Sequence, residues 1–286
     1  MGICLISVTL CGCGQPTDPT QTPLSPVPAQ ATLDYTKATI ELPLDQFGMT
    51  SREISIVMGA RDIAFARCLA GGQQVSPQEI QNAAGMLQTD FGIDEPNWIG
   101  GWWNAAYIAQ NGWYPRSKIG MELGTTMHAS DDKMAACQDD PAVNTLTPLA
   151  VDLSMNGDTA AANAFRYRTD ANDRVTNSPV YSTLSSQMEL CLKNAGYVLD
   201  TNPREEYPGI KAKLDQTWPQ EQILKAVLAS ATCNDQLGVT QQYANLQAGY
   251  EQALINQHQA ELTALRAEAS QRVAKAEVVL ESVGLH

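Results

Sequence analysis

Ser130-Asp131-Asp132-Lys133 sets a hydroxyl three residues ahead of an amine. A lysine at that spacing can strip the proton from a serine nucleophile in acyl transfer. That chemistry also requires Ser-Asp-Asn and Lys-Thr-Gly elements, and the sequence has neither. The same letters read as a helix N-cap with acids in its first turn, which is the reading adopted. Asp152, Ser154, Asn156, Gly157 and Asp158 match the first half of a calcium loop, glycine turn included. Its ninth place is Ala160, and its twelfth, which should bring a bidentate acid, is Asn163. An Asn-Gly turn leading into a helix capped by Asp158 explains the same residues and is the preferred reading. His128, His258 and His286 have no partner at metal-ligand spacing, and HExxH, GxSxG and Walker patterns are missing from the sequence. Asp139 and Asp140 are paired acids, but adjacent helical residues point apart, whereas glycoside hydrolysis needs carboxylates facing across a gap. No catalytic residue, metal or cofactor is assigned.

The thiols carry more. Cys4, Cys11 and Cys13 crowd the start, within an apolar run, Ile3 to Gly12, too short to cross a bilayer as a helix. The run suits the apolar region of an export signal. Leu10-Cys11-Gly12-Cys13 resembles the bacterial lipobox. That resemblance implies that Cys13 receives a diacylglycerol and becomes the mature N-terminus, residues 1–12 being cut away. Such signals open with Lys or Arg, and the first basic residue here is Lys37, so the expectation includes a true start upstream of Met1. Myristoylation at Gly2 would ask for Ser or Thr where the chain has Ile6. Pro16, Pro19, Pro23, Pro26 and Pro28 among Thr, Gln and Ser make 13–32 a stiff extended tether. At about 3.1 Å per residue it spans about 60 Å.

Cys68, Cys137, Cys191 and Cys233 remain, enough for two disulfides in an exported chain. A repeat chooses the pairing. "RCLAGG" at Arg67 resembles "LCLKNAGY" at Leu190, and "AACQDD" at Ala135 resembles "ATCNDQ" at Ala231. Trp113 near Pro115 and Trp218 beside Pro219 lie between the members of each pair. An internal duplication with one bridge per unit predicts Cys68–Cys137 and Cys191–Cys233. A four-cysteine zinc site is disfavoured because there is no Cys-x-x-Cys.

These groups need elements to hold them. Thr50-Ser-Arg-Glu53 is a capping box opening a helix that Gly71-Gly72 ends, and Ser76-Pro77 opens another running to about Thr89. Asp94 caps a short helix reaching Tyr107, on which Trp98 and Trp102 share one face and Trp103 and Tyr107 another. That spacing is first of all core packing, but Trp98, Trp102, Trp103 and Trp113 are also the candidate ligand-binding residues, because aromatic faces stack on sugars. Helices are expected to carry Cys137 from Ser130, Cys191 over 182–195, and Cys233 from Pro219. Pro141 to Pro179 reads as irregular, and "ATIELPL" near Ile40 is the best strand. From about Thr240 to Ser282 there is no proline and one glycine, Gly249. Apolar residues stepping by three or four from Tyr243 to Val283 predict one helix about 60 Å long. Its near half is expected to pack, and its far half has no assigned partner. His258 falls on that stripe as a partly buried histidine.

"MTSREISIVMGARDIAFARCL", "FGIDEPNWIGGWWNAAYIAQNGWYP", "LCLKNAGY", "ASATCNDQLG" and "YEQALINQHQAEL", in that order, resemble actinobacterial secreted or lipid-anchored proteins. That resemblance implies paired Cys-containing helices, a long C-terminal helix and an extracellular address, and brings no chemistry.

The fold expectation is mainly α: two disulfide-stapled helical units, related by duplication, with a long C-terminal helix. The divisions are a 1–12 signal peptide, the 13–32 tether, a 33–143 first unit, a 144–180 irregular connection, a 181–239 second unit and the 240–286 helix. Net charge is −13, with 31 acids against 18 bases, which repels nucleic acid and anionic lipid surfaces. The functional expectation is a non-catalytic lipoprotein on the extracellular face of the cell membrane, contacting an envelope protein or a wall glycan. The alternative is an envelope hydrolase acting on wall material.

Overall fold

The computed structural model describes residues 24–88, 96–113, 130–149, 160–200, 210–215 and 217–286. Cys13, Asp94, His128 and the Asp152–Asp158 stretch lie outside them. The chain enters through a small antiparallel hairpin, β1 (Thr32–Asp34) with β2 (Thr39–Glu41), in which Leu33 faces Ile40. Asp34 shapes the turn by accepting the Thr36 and Lys37 backbone N–H groups. A 3-10 helix (Pro43–Phe47) then leads to α1 (Ser51–Leu69), and both halves of the predicted capping box form there. Thr50 Oγ1 accepts from Glu53 N at 3.2 Å, and Glu53 Oε2 accepts from Thr50 N at 2.8 Å. Ser76 and Glu79 repeat the arrangement at the start of α2 (Pro77–Leu87). Gly71 and Gly72 end α1 in left-handed conformation.

The remaining elements are α3 (Ala105–Asn111), α4 (Asp131–Gln138), α5 (Pro141–Asn144), α6 (Ala160–Thr176) and α7 (Pro179–Asn194). The two-residue strands β3 (Leu199–Asp200) and β4 (Lys211–Ala212) pair antiparallel, and α8 (Gln220–Leu237) and α9 (Val239–Glu281) complete the chain. Ser130 precedes α4 as expected, with no side-chain hydrogen bond to cap it among the described residues. Much of the stretch expected to be irregular, Pro141 to Pro179, is helical: α5 and α6 occupy it. No helix among the described residues is long and apolar enough to cross a membrane.

Disulfides join Cys68 of α1 to Cys137 of α4, and Cys191 of α7 to Cys233 of α8, as the repeat predicts. Their sequence separations of 69 and 42 residues close loops worth about 4 kcal/mol each in the chain-entropy model.

The core does not divide in chain order. One apolar cluster joins α1, α2 and α5 to the distal half of α9 through Val57, Ile63, Val143, Leu262, Leu265 and Leu280. The distal half is therefore packed on its own chain. A second cluster joins the hairpin, the Trp98–Trp103 segment and α3 to α8 and the near half of α9. The Trp segment thus shares a core with α8 rather than with α1. A third cluster gathers α7, β4 and α8. The 43-residue α9 runs past all of this and departs from helical backbone angles at His258 (φ −118°, ψ 23°).

Candidate functional site

The polar groups that the fold gathers lie along the seam between α6 and α9. At one end Tyr243 donates its hydroxyl to Asn172 Oδ1 at 2.6 Å, and burial pushes its phenol pKa up. Next comes Glu251, wholly buried on α9. Its Oε2 accepts Leu44 N at 3.0 Å, and its Oε1 accepts Gln247 Nε2 at 3.0 Å. Arg168 of α6 stands 3.5 Å from that carboxylate through Nε and 2.6 Å from Asp45 Oδ1 through Nη2. Asp45 turns its other oxygen to Leu42 N, closing the 3-10 helix. One arginine thus ties the 3-10 helix, α6 and α9 together. Burial raises the Glu251 carboxyl pKa, and Arg168 offsets only part of that.

At the other end Tyr167 donates to Glu261 Oε2 at 2.7 Å and stacks on His258, the ring centroids 4.3 Å apart. Burial, and then the Glu261 hydrogen bond, push the Tyr167 phenol pKa up. His258 Nδ1 is 3.6 Å from Glu261 Oε2, an ion-pair distance rather than a hydrogen bond. The histidine therefore packs where α9 bends, and the carboxylate oxygen nearest it is already engaged by a phenol.

Asp45 and Glu251 are the paired acids that sequence reading did not find. They do not face an open gap, because the Arg168 guanidinium fills the space between them. The arrangement can fix the register of three elements, and it holds no unoccupied acid pair of the kind hydrolysis uses. A signal was present: Glu251 falls between Gln247 and Leu254 on the buried stripe of α9, where a charge requires a partner.

Trp98, Trp102 and Trp103 are 3%, 5% and 1% exposed, so their rings belong to the core. Trp113 is half-buried, edge-on to Trp102 at 5.4 Å, and Lys211 Nζ lies 5.2 Å from the Trp102 ring centre. Trp103 Nε1 donates to Asn97 O at 2.5 Å. The helix expected up to Tyr107 is corrected: its Asp94 cap lies outside the described residues, Gly100, Gly101 and Asn104 take positive φ, and over residues 96–113 only α3 is helical. The two shared helical faces assigned to these aromatics do not exist. Asn234 and Asp235, which follow Cys233, hold the segment instead. Asn234 donates to Gly100 O at 3.2 Å, and Asp235 accepts the N–H groups of Asn104 and Ala105 at 3.0 Å each. Among the described residues no group of three or more His, Cys, Asp or Glu is placed to hold a metal.

No protein-family model, curated protein or solved structure matches the chain.

Proposed function

We propose that this chain is a non-catalytic accessory lipoprotein of the cell envelope, anchored through Cys13 on the outer face of the membrane and contacting an envelope protein or wall component. The observation that carries the reading is the pair of disulfides, Cys68–Cys137 and Cys191–Cys233, which persist in oxidising surroundings. The Leu10–Cys13 sequence supports the anchor. Its non-catalytic character is supported by the use of the gathered acids as ties: Asp45 and Glu251 both pair with Arg168, and Glu261 holds Tyr167.

Expression with the native leader in a lipoprotein-processing bacterium tests both parts. The expected product begins at Cys13, carries a diacylglycerol mass and lacks free thiols, and Cys13→Ser loses its membrane attachment. Crosslinking in living cells is then expected to capture a defined envelope partner. An unprocessed cytosolic chain in which Cys68, Cys137, Cys191 and Cys233 are all free thiols would overturn the reading.

A further inference from the structure

A glycine inside a helix weakens it relative to alanine, and α9 contains one, Gly249. The structure supplies its reason. The Gly249 carbonyl accepts the Val27 N–H at 3.2 Å. A Cβ at 249 would lie 2.8 Å from Val27 O and 3.0 Å from Pro26 Cβ, so no larger residue leaves that seat open. One turn and then two turns nearer the helix start, Asn245 and Gln241 hold the same segment. Ala31 N donates to Asn245 Oδ1 at 3.0 Å, Gln241 Nε2 donates to Ala31 O at 3.2 Å, and Gln241 Nε2 also steadies Asn245 Oδ1 at 2.8 Å. The three α9 positions recur every four residues, on one face. Ala31 itself is buried. The end of the proline tract is thereby laid along the helix, with backbone groups as the points of attachment.

We infer that residues 24–31 are a strap clipped to α9 at Gly249, and that this clip sets the stand-off of the domain from its membrane. The second half rests on the anchor at Cys13 proposed above. For the extended tether expected from the sequence, the reach from Cys13 is about 35 Å if it ends at a clipped Leu24 and about 60 Å if it ends at Thr32, at about 3.1 Å per residue. Proline suits the strap: it fixes φ, so a chain already extended loses less freedom on docking.

Hydrogen exchange of the full chain, followed by mass spectrometry, tests the clip. Val27→Pro removes the donor without touching α9, Gly249→Leu fills the seat, and Val27→Ala keeps the N–H as a control. The expected result is slow exchange over 24–31 in the natural chain and in Val27→Ala. In the other two variants that segment is expected to exchange at least about tenfold faster, with α6 and α9 unchanged. Exchange of the natural segment at the rate of an unstructured peptide would overturn the clip, and so would undiminished protection in Val27→Pro. Stand-off is read separately, by energy transfer from the tryptophans to a labelled headgroup in vesicles carrying the lipidated chain. Transfer is expected to fall in Val27→Pro; equal transfer after the strap is lost overturns the stand-off. Failure of the natural chain to attach to vesicles overturns the anchor and the stand-off together, while the exchange result still decides the clip.

Discussion

Arg266 grips the Glu53 carboxylate with both terminal nitrogens, Nη2 to Oε1 at 2.6 Å and Nη1 to Oε2 at 3.0 Å. Nη1 also donates to Gly48 O at 3.0 Å. Glu53 already serves the capping box of α1, so one side chain closes that helix and fastens the distal half of α9 to it.

The pair has a measurable pH signature. The Arg266 hydrogen bond, ahead of the backbone bond from Thr50, holds the Glu53 carboxyl below its ordinary value of 4.5. A depressed carboxyl contributes stability above its unfolded value and loses it as pH falls through the folded one. Arg266→Ala is expected to cost about 1 kcal/mol at pH 7 in urea unfolding, the range of a two-pronged charged hydrogen bond that is partly exposed. At pH 3 the gap between variant and natural chain is expected to narrow. An equal gap at both values would assign the loss to packing of the arginine stem.

Asp62, on the same helix, behaves in the opposite way. Burial lifts its carboxyl from 3.8 to about 6, against the smaller opposing charge of Arg61. The folded chain therefore binds this proton more tightly than the unfolded chain does. Stability contributed by Asp62 falls as pH rises through the interval between those values. Asp62→Asn is expected to stabilise the protein at pH 7.5, by at most about 3 kcal/mol, and to bring no gain at pH 3.5. Thermal melts at the two values check it; a destabilised variant at pH 7.5 would show that the carboxylate has a partner worth more than its burial costs.

What could be read from the sequence was whatever depends on neighbours in the chain. Thr50 with Glu53 and Ser76 with Glu79 are local devices, and both close as expected. The cystine pairing was legible because Cys-Leu and Ala-x-Cys recur in order. The Trp segment misled because i, i+4 aromatics imitate a helix, while Gly100, Gly101 and Asn104 follow the demands of Ile210 and Asp235, distant in sequence. The helix α6 was missed because its buried apolar stripe is short, Ala171 and Val175, and the side chains beside it that meet α9 are polar: Tyr167, Arg168 and Asn172 meet Glu261, Glu251 and Tyr243. Gly249 looked incidental for the same reason, since its partner is a strap at the far end of the chain.

The buried carboxylate of Glu251 should be expensive to orphan. Arg168→Met removes the only cation paired with it among the described residues and leaves its other oxygen bonded to Leu44 N. A cost of about 3 kcal/mol at pH 7 is expected, as for a buried pair broken from one side. In that variant burial is opposed only by the hydrogen bonds from Leu44 N and Gln247, so the acid takes up a proton on folding and stability falls as pH rises above 4.5, the ordinary value. Glu251→Gln in the Arg168→Met background is expected to recover much of the loss. A double-mutant cycle in urea with no coupling between the two positions would contradict the pairing.

Gly101 and Gly112 separate two reasons for a glycine. Both have positive φ, 106° and 86°. At Gly112 an added Cβ meets nothing within 4 Å among the described residues, whereas at Gly101 it would run into the Ile210 carbonyl oxygen and lie 3.0 Å from Ile210 N. Ile210 cannot move freely, because its N–H reaches Gly100 O and its side chain is buried in the cluster shared by α7 and α8. Gly112→Ala should therefore cost only the backbone strain, about 2 kcal/mol at φ 86° and ψ 175°, a region almost confined to glycine. Gly101→Ala adds a backbone collision and is expected to cost at least about 3 kcal/mol, beyond what backbone strain alone explains. Gly101 stands beside Trp102 and Trp103, so its variant should also shift tryptophan emission to the red as the second cluster loosens. Equal losses for the two alanines, with emission unchanged, would mean that the approach of Ile210 to this turn does not constrain the Trp segment.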